Sequence, residues 1–409
     1  MEVVIARCGG LDVHKATVAA CVRVQGPNGH ITQQVRTFGT TTGQLQALVV
    51  WLQEQGVTDV AMEATGVFWK PVWHVLEPHV HLLLVNPRDI RRVPGRKTDV
   101  SDAAWIAQLL QCGLLRSSFV PPRDIRELRD LTRARATLEQ QTTAVANRIH
   151  KLLEDANIKL GSVATDILGT SGRAMLRALV AGETDPTRLA DLAVGKLRVK
   201  IPALHEALRG ALTAHHRFLL RRLLTQLTFL EDEINSFNRQ IAEATAPFAA
   251  LLTRLDAIPG IARRAAENLL AEVGPDMTSF ATAAHLVSWA AICPGQHESA
   301  GRSQRGTIRK GNRWLRRTLG QAAWSARNKK NSYAAAQFRR LAARRGRKRA
   351  IIAVAHSLLV AAYYIIRDGV EYHDLGAAHF DRLAPDKLTR MLVKRLERLG
   401  HKVTLEAAA

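Results

Sequence analysis

The first third of the chain alternates between strand-like and helix-like patterns in a definite order. Three apolar segments come first, at Val3–Val13, Ala16–Gln25 and Ile31–Phe38, and Gly26-Pro27-Asn28-Gly29 has the composition of a hairpin turn. Helix-like and strand-like segments then alternate at Thr42–Gln55, Val57–Met62, Val67–Leu76, His81–Val85 and Asp99–Leu110. A strand meander followed by crossover units predicts an α/β domain of ribonuclease H-like topology, which by itself does not specify a reaction.

The middle of the chain has a helical pattern. After the Pro121-Pro122 pair, apolar residues recur at helical spacing over Ile125–Leu153 and again from about Leu204 to Ala246. Because the spacing is close to a heptad, we expect a long antiparallel, coiled-coil-like arm. Several glycines break residues 158–203 into shorter predicted helices.

A third region begins near Pro247. Ile258-Pro259-Gly260-Ile261 precedes a predicted helix at Arg263–Glu272, an arrangement like a helix-hairpin-helix turn, whose backbone amides can meet a DNA phosphate. An ordinary turn between helices is the alternative. The predicted fold class is therefore α/β plus α: a ribonuclease H-like domain at 1–118, a helical arm at 119–248, a mostly helical C-terminal domain at 249–370 and a peripheral tail at 371–409.

Basic residues are concentrated in one segment. The chain has 58 Lys and Arg against 36 Asp and Glu, a formal net charge of +22. Of the basic residues, 17 lie between Arg302 and Arg349, where the sequence has no Asp or Glu. A solvated basic face is one explanation, but without acids to offset the repulsion a phosphate backbone is the better counter-charge. This distribution predicts nucleic acid as the partner.

Other features of the composition narrow the class of protein. With 47% hydrophobic residues the chain can bury a core, which excludes wholesale disorder. No stretch approaches about 18 uninterrupted apolar residues, so we expect no membrane partner. The N-terminus lacks the basic and apolar regions of a secretory signal, and the four cysteines show no CxxC spacing. We therefore expect a cytoplasmic protein without disulfides or a zinc site.

Four carboxylates stand at strand ends or at a helix start. Asp12 lies near the end of the first predicted strand, Glu63 ends a later strand, and Asp99 and Asp102 share one face of a helix start. Strand ends at one edge of a sheet form a crevice, so these groups can converge. Clustered carboxylates repel unless cations neutralise them, and oxygen ligands suit Mg²⁺ or Mn²⁺, which can support a phosphodiester displacement. For Asp99 alone, the helix dipole is a sufficient explanation.

Two groups of motifs, in this order, resemble the DEDD transposases of the insertion-sequence one-ten family, which is related to the Piv-type DNA invertases. The N-terminal group consists of Leu11-Asp12-Val13-His14-Lys15, Met62-Glu63-Ala64-Thr65-Gly66, Asn86-Pro87, Lys97-Thr98-Asp99 and Asp102-Ala103. The C-terminal group consists of Ile258-Pro259-Gly260-Ile261, Pro294-Gly295, Glu298-Ser299-Ala300-Gly301 and Arg309-Lys310-Gly311-Asn312. The resemblance covers most of residues 3–365.

The resemblance implies a reaction and the residues for it. It implies recombination guided by a structured non-coding bridge RNA, through a covalent phosphoserine link to DNA. The metal-binding tetrad would be Asp12, Glu63, Asp99 and Asp102. Ser299 matches the nucleophile best, although Ser299-Ala300-Gly301 stands where Ser-Gly is expected, and Ser303 is the alternative. A hydroxyl is a weak nucleophile until a base or metal activates it, and Ser299 as an ordinary turn residue would be unremarkable.

Nucleic-acid contacts are expected in the basic run that follows Ser299. The residues are Arg302, Arg305, Arg309, Lys310, Asn312, Arg313 and Arg316. The basic ones should act mainly through phosphates. Trp314 and Trp324, ten residues apart, either stack on bases or pack into a helical core.

Three functions follow from the sequence as hypotheses. The first is a metal-dependent recombinase acting on donor and target double-stranded DNA with a guide RNA, as a homo-oligomer of two or four chains. The second is a RuvC-like Holliday-junction resolvase or nuclease, in which water attacks and no covalent adduct forms. The third is a non-catalytic RNA- or DNA-binding scaffold.

Overall fold

The computed structural model describes residues 2–64, 66–92, 101–293, 298–299, 302–303, 311–383 and 385–406. The chain divides into two compact units, Met1–Val120 and Pro121–Ala409. The break falls at the Pro121-Pro122 pair. The predicted arm and C-terminal domain, at 119–248 and 249–370, both lie in the second unit, and their separate boundaries stay a prediction.

A five-stranded mixed sheet forms the first unit. Its strands are β1 (Arg7–Val13), β2 (Thr17–Gln25), β3 (Ile31–Gly39), β4 (Asp59–Glu63) and β5 (His81–Val85), in the order β3-β2-β1-β4-β5. The first three strands pair antiparallel, whereas β1, β4 and β5 run parallel. A meander joined to parallel crossovers is the topology expected of a ribonuclease H-like domain, so the predicted α/β class is confirmed for this unit.

Helices cover both faces of this sheet. They are α1 (Thr42–Glu54), α2 (Trp69–Leu76), α3 (Pro87–Arg92) and α4 (Asp102–Gln111). One face packs its apolar side chains, including Leu11, Val60 and Met62, against α1 and α2. The other face, including Cys8 and Ala61, packs against α4. The short helix α3 is absent from the sequence prediction. Strand β1 begins at Arg7, four residues later than predicted, because residues 3–6 lie outside its pairing with β2.

The second unit is almost entirely helical. Its helices are α5 (Arg123–Asp155), α6 (Leu160–Val163), α7 (Thr170–Ala181), α8 (Pro186–Asp191), α9 (Ile201–Ala207), α10 (Ala214–Ala244), α11 (Ala249–Asp256), α12 (Arg263–Val273), α13 (Ala283–Trp289), α14 (Arg313–Ala326), α15 (Tyr333–Arg345), α16 (Arg347–Asp368), α17 (His379–Arg382) and α18 (Pro385–Arg398). Two 3₁₀ turns, Gly195–Lys200 and Ala246–Phe248, and two short strands, β6 (Glu298–Ser299) and β7 (Arg302–Ser303), complete it.

The two longest helices form an antiparallel pair. His216, near the start of α10, lies 3.0 Å from Asp155 at the end of α5, whereas Asn238, late in α10, accepts a hydrogen bond of 3.2 Å from Arg135 early in α5. Apolar side chains of both helices, such as Ile149 and Leu227, share one core with the short helices between them. The antiparallel pairing is thus observed, and its coiled-coil character stays a prediction.

The predicted second arm helix is interrupted at residues 208–213. The sequence predicts an unbroken helix from about Leu204, but α9 ends at Ala207 and α10 starts only at Ala214. The intervening backbone is used elsewhere: the Lys159 N–H donates to the Ala207 carbonyl (2.7 Å), and the Ala211 N–H donates to the Ala156 carbonyl (3.0 Å). Tertiary pairing therefore overrides the local helical pattern here.

The turn between α11 and α12 is packed inside the second unit. Gly260 has a φ of +84°, and a Cβ at this position would lie 2.2 Å from the Ala322 carbonyl oxygen of α14. Ile258 and Ile261 are buried beside it. The glycine lets α14 approach the turn closely, and the helix-hairpin-helix function of this turn stays a prediction.

Helix α16 is the apolar centre of the C-terminal region. In the parts of the chain that the structure describes, it alone is long and apolar enough to cross a membrane by length and composition. More than half of its most apolar stretch is buried, and α11, α13, α14 and α15 pack against it. Those contacts are what a core helix of a globular unit makes.

Candidate active site and nucleic-acid-binding surface

Asp12 and Glu63 occupy matching positions on neighbouring parallel strands. Leu11 of β1 pairs with Met62 of β4, so Asp12 and Glu63 each come one residue later on their strands. Side chains alternate along a strand, which places Asp12 on the face of Cys8 and Glu63 on the face of Ala61. Cys8 and Ala61 both pack on the α4 side of the sheet. The two carboxylates are therefore brought to one face and one end of the sheet.

Helix α4 runs along β1 in the opposite direction. The Cys8 sulfur lies 3.4 Å from the Ala107 carbonyl oxygen. A Cβ on Gly10 would lie 2.3 Å from both the Ala103 oxygen and the Ala107 nitrogen, so the helix rests directly on this glycine. As β1 proceeds from Cys8 through Gly10 to Asp12, α4 recedes towards its first residue, Asp102. The geometry thus directs the start of α4 to the end of the sheet where Asp12 stands.

The start of α4 adds a favourable electrostatic environment. Ser101 caps the helix, because its hydroxyl accepts a hydrogen bond of 3.3 Å from the Ala104 N–H. The positive end of the helix dipole favours nearby anions such as the Asp102 carboxylate. Asp12 is partly buried and lies 3.2 Å from the Nε2 of His14.

The donor set is one that suits a hard divalent cation. Asp12, Glu63 and Asp102 offer only oxygen ligands. Asp99, the fourth member of the predicted tetrad, lies outside the described residues. Among the residues that are described, no three His, Cys, Asp or Glu side chains form a ready-made metal cluster. The tetrad as a complete site stays a prediction, supported by the placement of three of its members.

Ser299 and Ser303 belong to a short antiparallel hairpin. The register pairs Ser299 of β6 with Arg302 of β7, and Glu298 with Ser303. The sequence predicts a loop throughout 293–312 and does not reveal this pairing, because two-residue strands are too short to show a period. Pro294, Gly295, Ala300, Gly301 and the basic residues Arg305, Arg309 and Lys310 lie outside the described residues.

Asn312 has an internal structural role. Its Oδ1 accepts hydrogen bonds from the Trp314 and Leu315 N–H groups (3.0 and 3.1 Å), which caps the start of α14. Its Nδ2 donates to the Glu272 carboxylate at 2.5 Å. The sequence prediction places Asn312 among the nucleic-acid contacts, but these hydrogen bonds engage its side chain within the protein.

From Arg313 onwards, the acid-free segment folds into helices with exposed basic side chains. Its exposed basic side chains on α14, α15, the start of α16 and the turn after α14 are Arg313, Lys329, Lys330, Arg339, Arg340, Arg344, Arg345, Arg347, Lys348 and Arg349. We call this set the basic surface. Phosphate groups are the counter-charge that such a surface favours.

The two tryptophans of this segment differ in environment. Trp314 is half-buried, with the guanidinium carbons of Arg313 and Arg133 at 4.7 and 6.0 Å from its ring centre. Trp324 is 42% exposed and carries the Arg327 guanidinium at 4.3 Å. Of the two residues, Trp324 is the more exposed.

Sequence reasoning missed a buried ionic cluster at the start of α14. Glu272 is 1% exposed and accepts two hydrogen bonds from Arg133, at 2.7 and 2.8 Å. Arg129 donates to the Ala271 and Glu272 carbonyls, and burial lowers the pKa of its guanidinium to about 10 despite the nearby Glu272 charge, so it stays protonated at neutral pH. The available signal was the position of Glu272 between apolar residues in Leu269–Val273, since buried acids need partners.

Comparison with known proteins gives matches in both units. A profile described as a transposase, of the DEDD type found in IS110, matches residues 9–158, and a profile described as the transposase IS116/IS110/IS902 family matches residues 252–339. Together they cover more than half of the chain. A protein of insertion element IS110 from Streptomyces coelicolor, described as an uncharacterized 43.6 kDa protein, is 28% identical over 317 residues, which span 68% of this chain and 73% of the relative.

Proposed function

The chain belongs to the IS110 family of DEDD transposases, enzymes that cut and rejoin DNA, and we propose that it works through a carboxylate metal site and a phosphoserine intermediate. The observation that supports this most is the shared register of Asp12 and Glu63 on the sheet face covered by α4. Both side chains are carboxylates at the carboxyl ends of parallel strands, the edge of a sheet at which ligands bind.

The proposed role of the tetrad is to hold divalent cations, Mg²⁺ or Mn²⁺. When bound by Asp12, Glu63, Asp99 and Asp102, such ions supply stabilisation of the negative charge on the attacking and leaving oxygens. The protein's own contribution is to keep these carboxylates together against their mutual repulsion. The start of α4 assists, since its dipole offsets part of the charge of Asp102.

The proposed nucleophile is the hydroxyl of Ser299. Its oxygen forms a bond to the scissile phosphorus as the bond from phosphorus to a DNA oxygen breaks. The serine proton is lost to a base, and the departing DNA oxygen takes up a proton. A phosphodiester link is therefore conserved in the adduct, and attack by another DNA hydroxyl reverses the step and rejoins the strand.

The proposed partners are double-stranded donor and target DNA and a structured guide RNA. Arg302, Arg305, Arg309, Lys310, Arg313 and Arg316, together with the basic surface, are proposed to contact phosphates. Joining two duplexes requires several strand cleavages, so we also propose a homo-oligomer of two or four chains.

Trapping of a protein–DNA adduct tests the serine assignment. The full-length protein, together with the RNA that co-purifies with it, is incubated with Mg²⁺ and DNA that carries the ends of its insertion sequence, and then denatured. We expect wild type and Ser303→Ala to yield covalently attached DNA and Ser299→Ala to yield none. An adduct formed equally well by Ser299→Ala shows that Ser299 is the wrong residue.

The same assay separates the proposal from its hydrolytic alternative. A RuvC-like junction resolvase or nuclease uses water as the nucleophile and releases nicked DNA without attached protein. Nicked product from the wild-type protein with no adduct at any time point would therefore replace the phosphoserine mechanism by hydrolysis. Loss of both products in Asp12→Asn is expected under either mechanism, so this variant reports on the carboxylate site alone.

A further inference from the structure

The hairpin with Ser299 belongs to a chain segment that is closely held where it rejoins the fold. This segment begins after α13 and ends at Gly311, just before α14. A Cβ on Gly311 would lie 2.4 Å from the Cβ of Ala291 and 2.8 Å from the Ala290 carbonyl oxygen, so the backbone entering α14 is pressed against the backbone leaving α13. Ala291 has a φ of +54°, a left-handed conformation that costs energy for a residue with a side chain. We call this contact the neck.

A buried carboxylate holds the returning side of the neck. The Asn312 amide, next to Gly311, donates to Glu272 Oε2 at 2.5 Å, while its Oδ1 caps α14. Both functions use the same planar amide, so its orientation is determined at both ends. The backbone direction at which the chain enters α14 is thereby tied to the position of Glu272.

The same carboxylate is anchored to the long arm helix. Arg133 of α5 binds both Glu272 oxygens, and Arg129 Nε lies 3.5 Å from Oε2. Arg129 also donates to the Ala271 and Glu272 carbonyls at the end of α12. A buried charge with this many donors is stable in one geometry and costly to leave partly unpaired. Glu272 therefore connects α5, α12 and the start of α14 at a single point.

We infer that Glu272 is a positioning residue for strand cleavage: through Asn312 it sets the geometry of the neck and so of the hairpin with Ser299. The inference rests on the proposed function, in which Ser299 attacks DNA. Glu272 itself does not touch the reacting atoms. Its effect should appear in the rate of adduct formation, since misplacement of a reacting group by about 1 Å costs on the order of 100-fold.

The first test replaces the carboxylate by its neutral isostere. Glu272→Gln keeps the side-chain shape but cannot accept all three hydrogen bonds, because its amide nitrogen is a donor that must face either Arg133 Nε or both Arg133 Nη2 and the Asn312 amide. We expect the single-turnover rate of adduct formation at saturating DNA to fall about 10- to 100-fold. Glu139→Gln is the matched control: it removes a carboxylate from the more exposed Arg264–Glu139 pair of the same two helices and should leave the rate unchanged.

A second variant separates capping from the hydrogen bond to Glu272. Asn312→Asp retains an oxygen that caps α14, because Asp and Asn are equally good at this position. It removes the amide donor and sets two carboxylates against each other. The rate should fall, with the cap preserved. In the double variant Glu272→Gln with Asn312→Asp, the new amide at position 272 can donate to the new carboxylate at position 312, which restores the bond with its donor reversed.

The double variant decides between positioning and general damage. If the bond between positions 272 and 312 positions the hairpin, the double variant reacts faster than either single variant. If the double variant reacts more slowly than both single variants, the inference is overturned. The inference is also overturned if folded Glu272→Gln keeps a rate within about twofold of wild type, because loss of a positioning residue should lower the rate at least about tenfold. Thermal unfolding of each variant identifies a folding defect, and Asn312→Asp serves if Glu272→Gln does not fold.

Ser299→Ala in the same experiment keeps the two proposals apart. If Ser299→Ala still forms the adduct, the serine assignment fails. The Glu272 and Asn312 variants are then compared by the rate at which they form that same adduct. If Ser299→Ala abolishes the adduct while the double variant gains nothing over the single ones, the proposed function stands and the positioning role of Glu272 fails.

Discussion

At the scale of single residues, small side chains decide where the larger elements can go. Gly10 is one case: α4 lies so close to β1 that any Cβ would overlap backbone atoms at Ala103 and Ala107. A backbone at that distance cannot yield as the end of a flexible side chain can. The position of α4, and with it of Asp102, thus depends on the lack of a side chain two residues before Asp12.

Replacement of Gly10 tests this dependence. Gly10→Val should push α4 away from the sheet and destabilise the first unit by at least about 1–3 kcal/mol, the usual cost of overpacking. Urea unfolding followed by a probe in the first unit measures the loss. Gly43→Ala in α1 is the control, since a Cβ there meets nothing within 4 Å, and it should be neutral or slightly stabilising. Equal stability of Gly10→Val and wild type would refute the close approach.

In the second unit, buried charged residues likewise help to set where helices lie. Arg135 is 2% exposed and donates to Glu267 at 2.8 Å and to Asn268 at 3.0 Å, while Arg263 donates to the other Glu267 oxygen at 3.0 Å. Together with Glu272, these residues join α5 to α12 by hydrogen-bonded charges. Such contacts favour one relative placement of two helices, which apolar packing alone specifies less sharply.

At the scale of elements, helices α14 and α15 of the acid-free segment each have a buried apolar face and exposed basic residues. Leu315, Leu319 and Ala323 of α14 are buried, while Arg313 is exposed at its start. In α15, Ala334, Ala335 and Phe338 are buried, and the last turn ends in two arginines. The basic residues from which we predicted a nucleic-acid partner thus lie on folded helices, whose inner faces help form the core.

Neutralisation of one exposed arginine should change the salt dependence of DNA binding. Arg313→Gln should weaken binding to all sequences alike and reduce the slope of log K against log salt by about one unit, because one phosphate contact releases about one counterion. Titrations at several salt concentrations on unrelated duplexes measure both effects. Arg123→Gln, an exposed arginine of α5 paired with Glu127, is the control and should leave the slope unchanged. A loss restricted to one DNA sequence would indicate base recognition by Arg313 instead.

At the scale of the whole molecule, acidic and basic chemistry are separated along the chain. The predicted tetrad belongs to the first compact unit, and Ser299 and the basic surface belong to the second. Most of the net charge of +22 therefore comes from residues of the second unit. A transposase that uses a guide would present this surface to RNA as well as to DNA phosphates.

The proposed guide RNA predicts a specific composition of the purified protein. When the full-length protein is purified from cells that carry its insertion sequence, one discrete, structured RNA encoded by the element should accompany it. Sequencing of the bound RNA measures this, with a variant that lacks several arginines of the basic surface as the comparison. A random sample of cellular RNA, bound equally by every variant rich in arginine, would contradict a guide.

Much of the first unit could be predicted from sequence, because its signals are local. Short apolar segments identified all five strands, and Asp12 and Glu63 stood out as acids at strand ends. The prediction failed where distant residues take over the backbone, as at residues 208–213, where the pairing with residues 156–159 interrupts a good helical pattern. The β6–β7 hairpin was missed because its strands are too short to carry a period.

The amino-acid sequence alone determined the order of the five strands of the first unit, the family motifs and the separation of acids from bases, since periodicity and charge are properties of neighbouring residues. Only the tertiary structure decided that Asp12 and Glu63 share one register and that α4 rests on Gly10. The same holds for Glu272, which meets Arg133 and Asn312 although 139 and 40 residues separate them along the chain. Such contacts depend on how whole elements pack, and no local pattern records which distant partner a buried carboxylate will find.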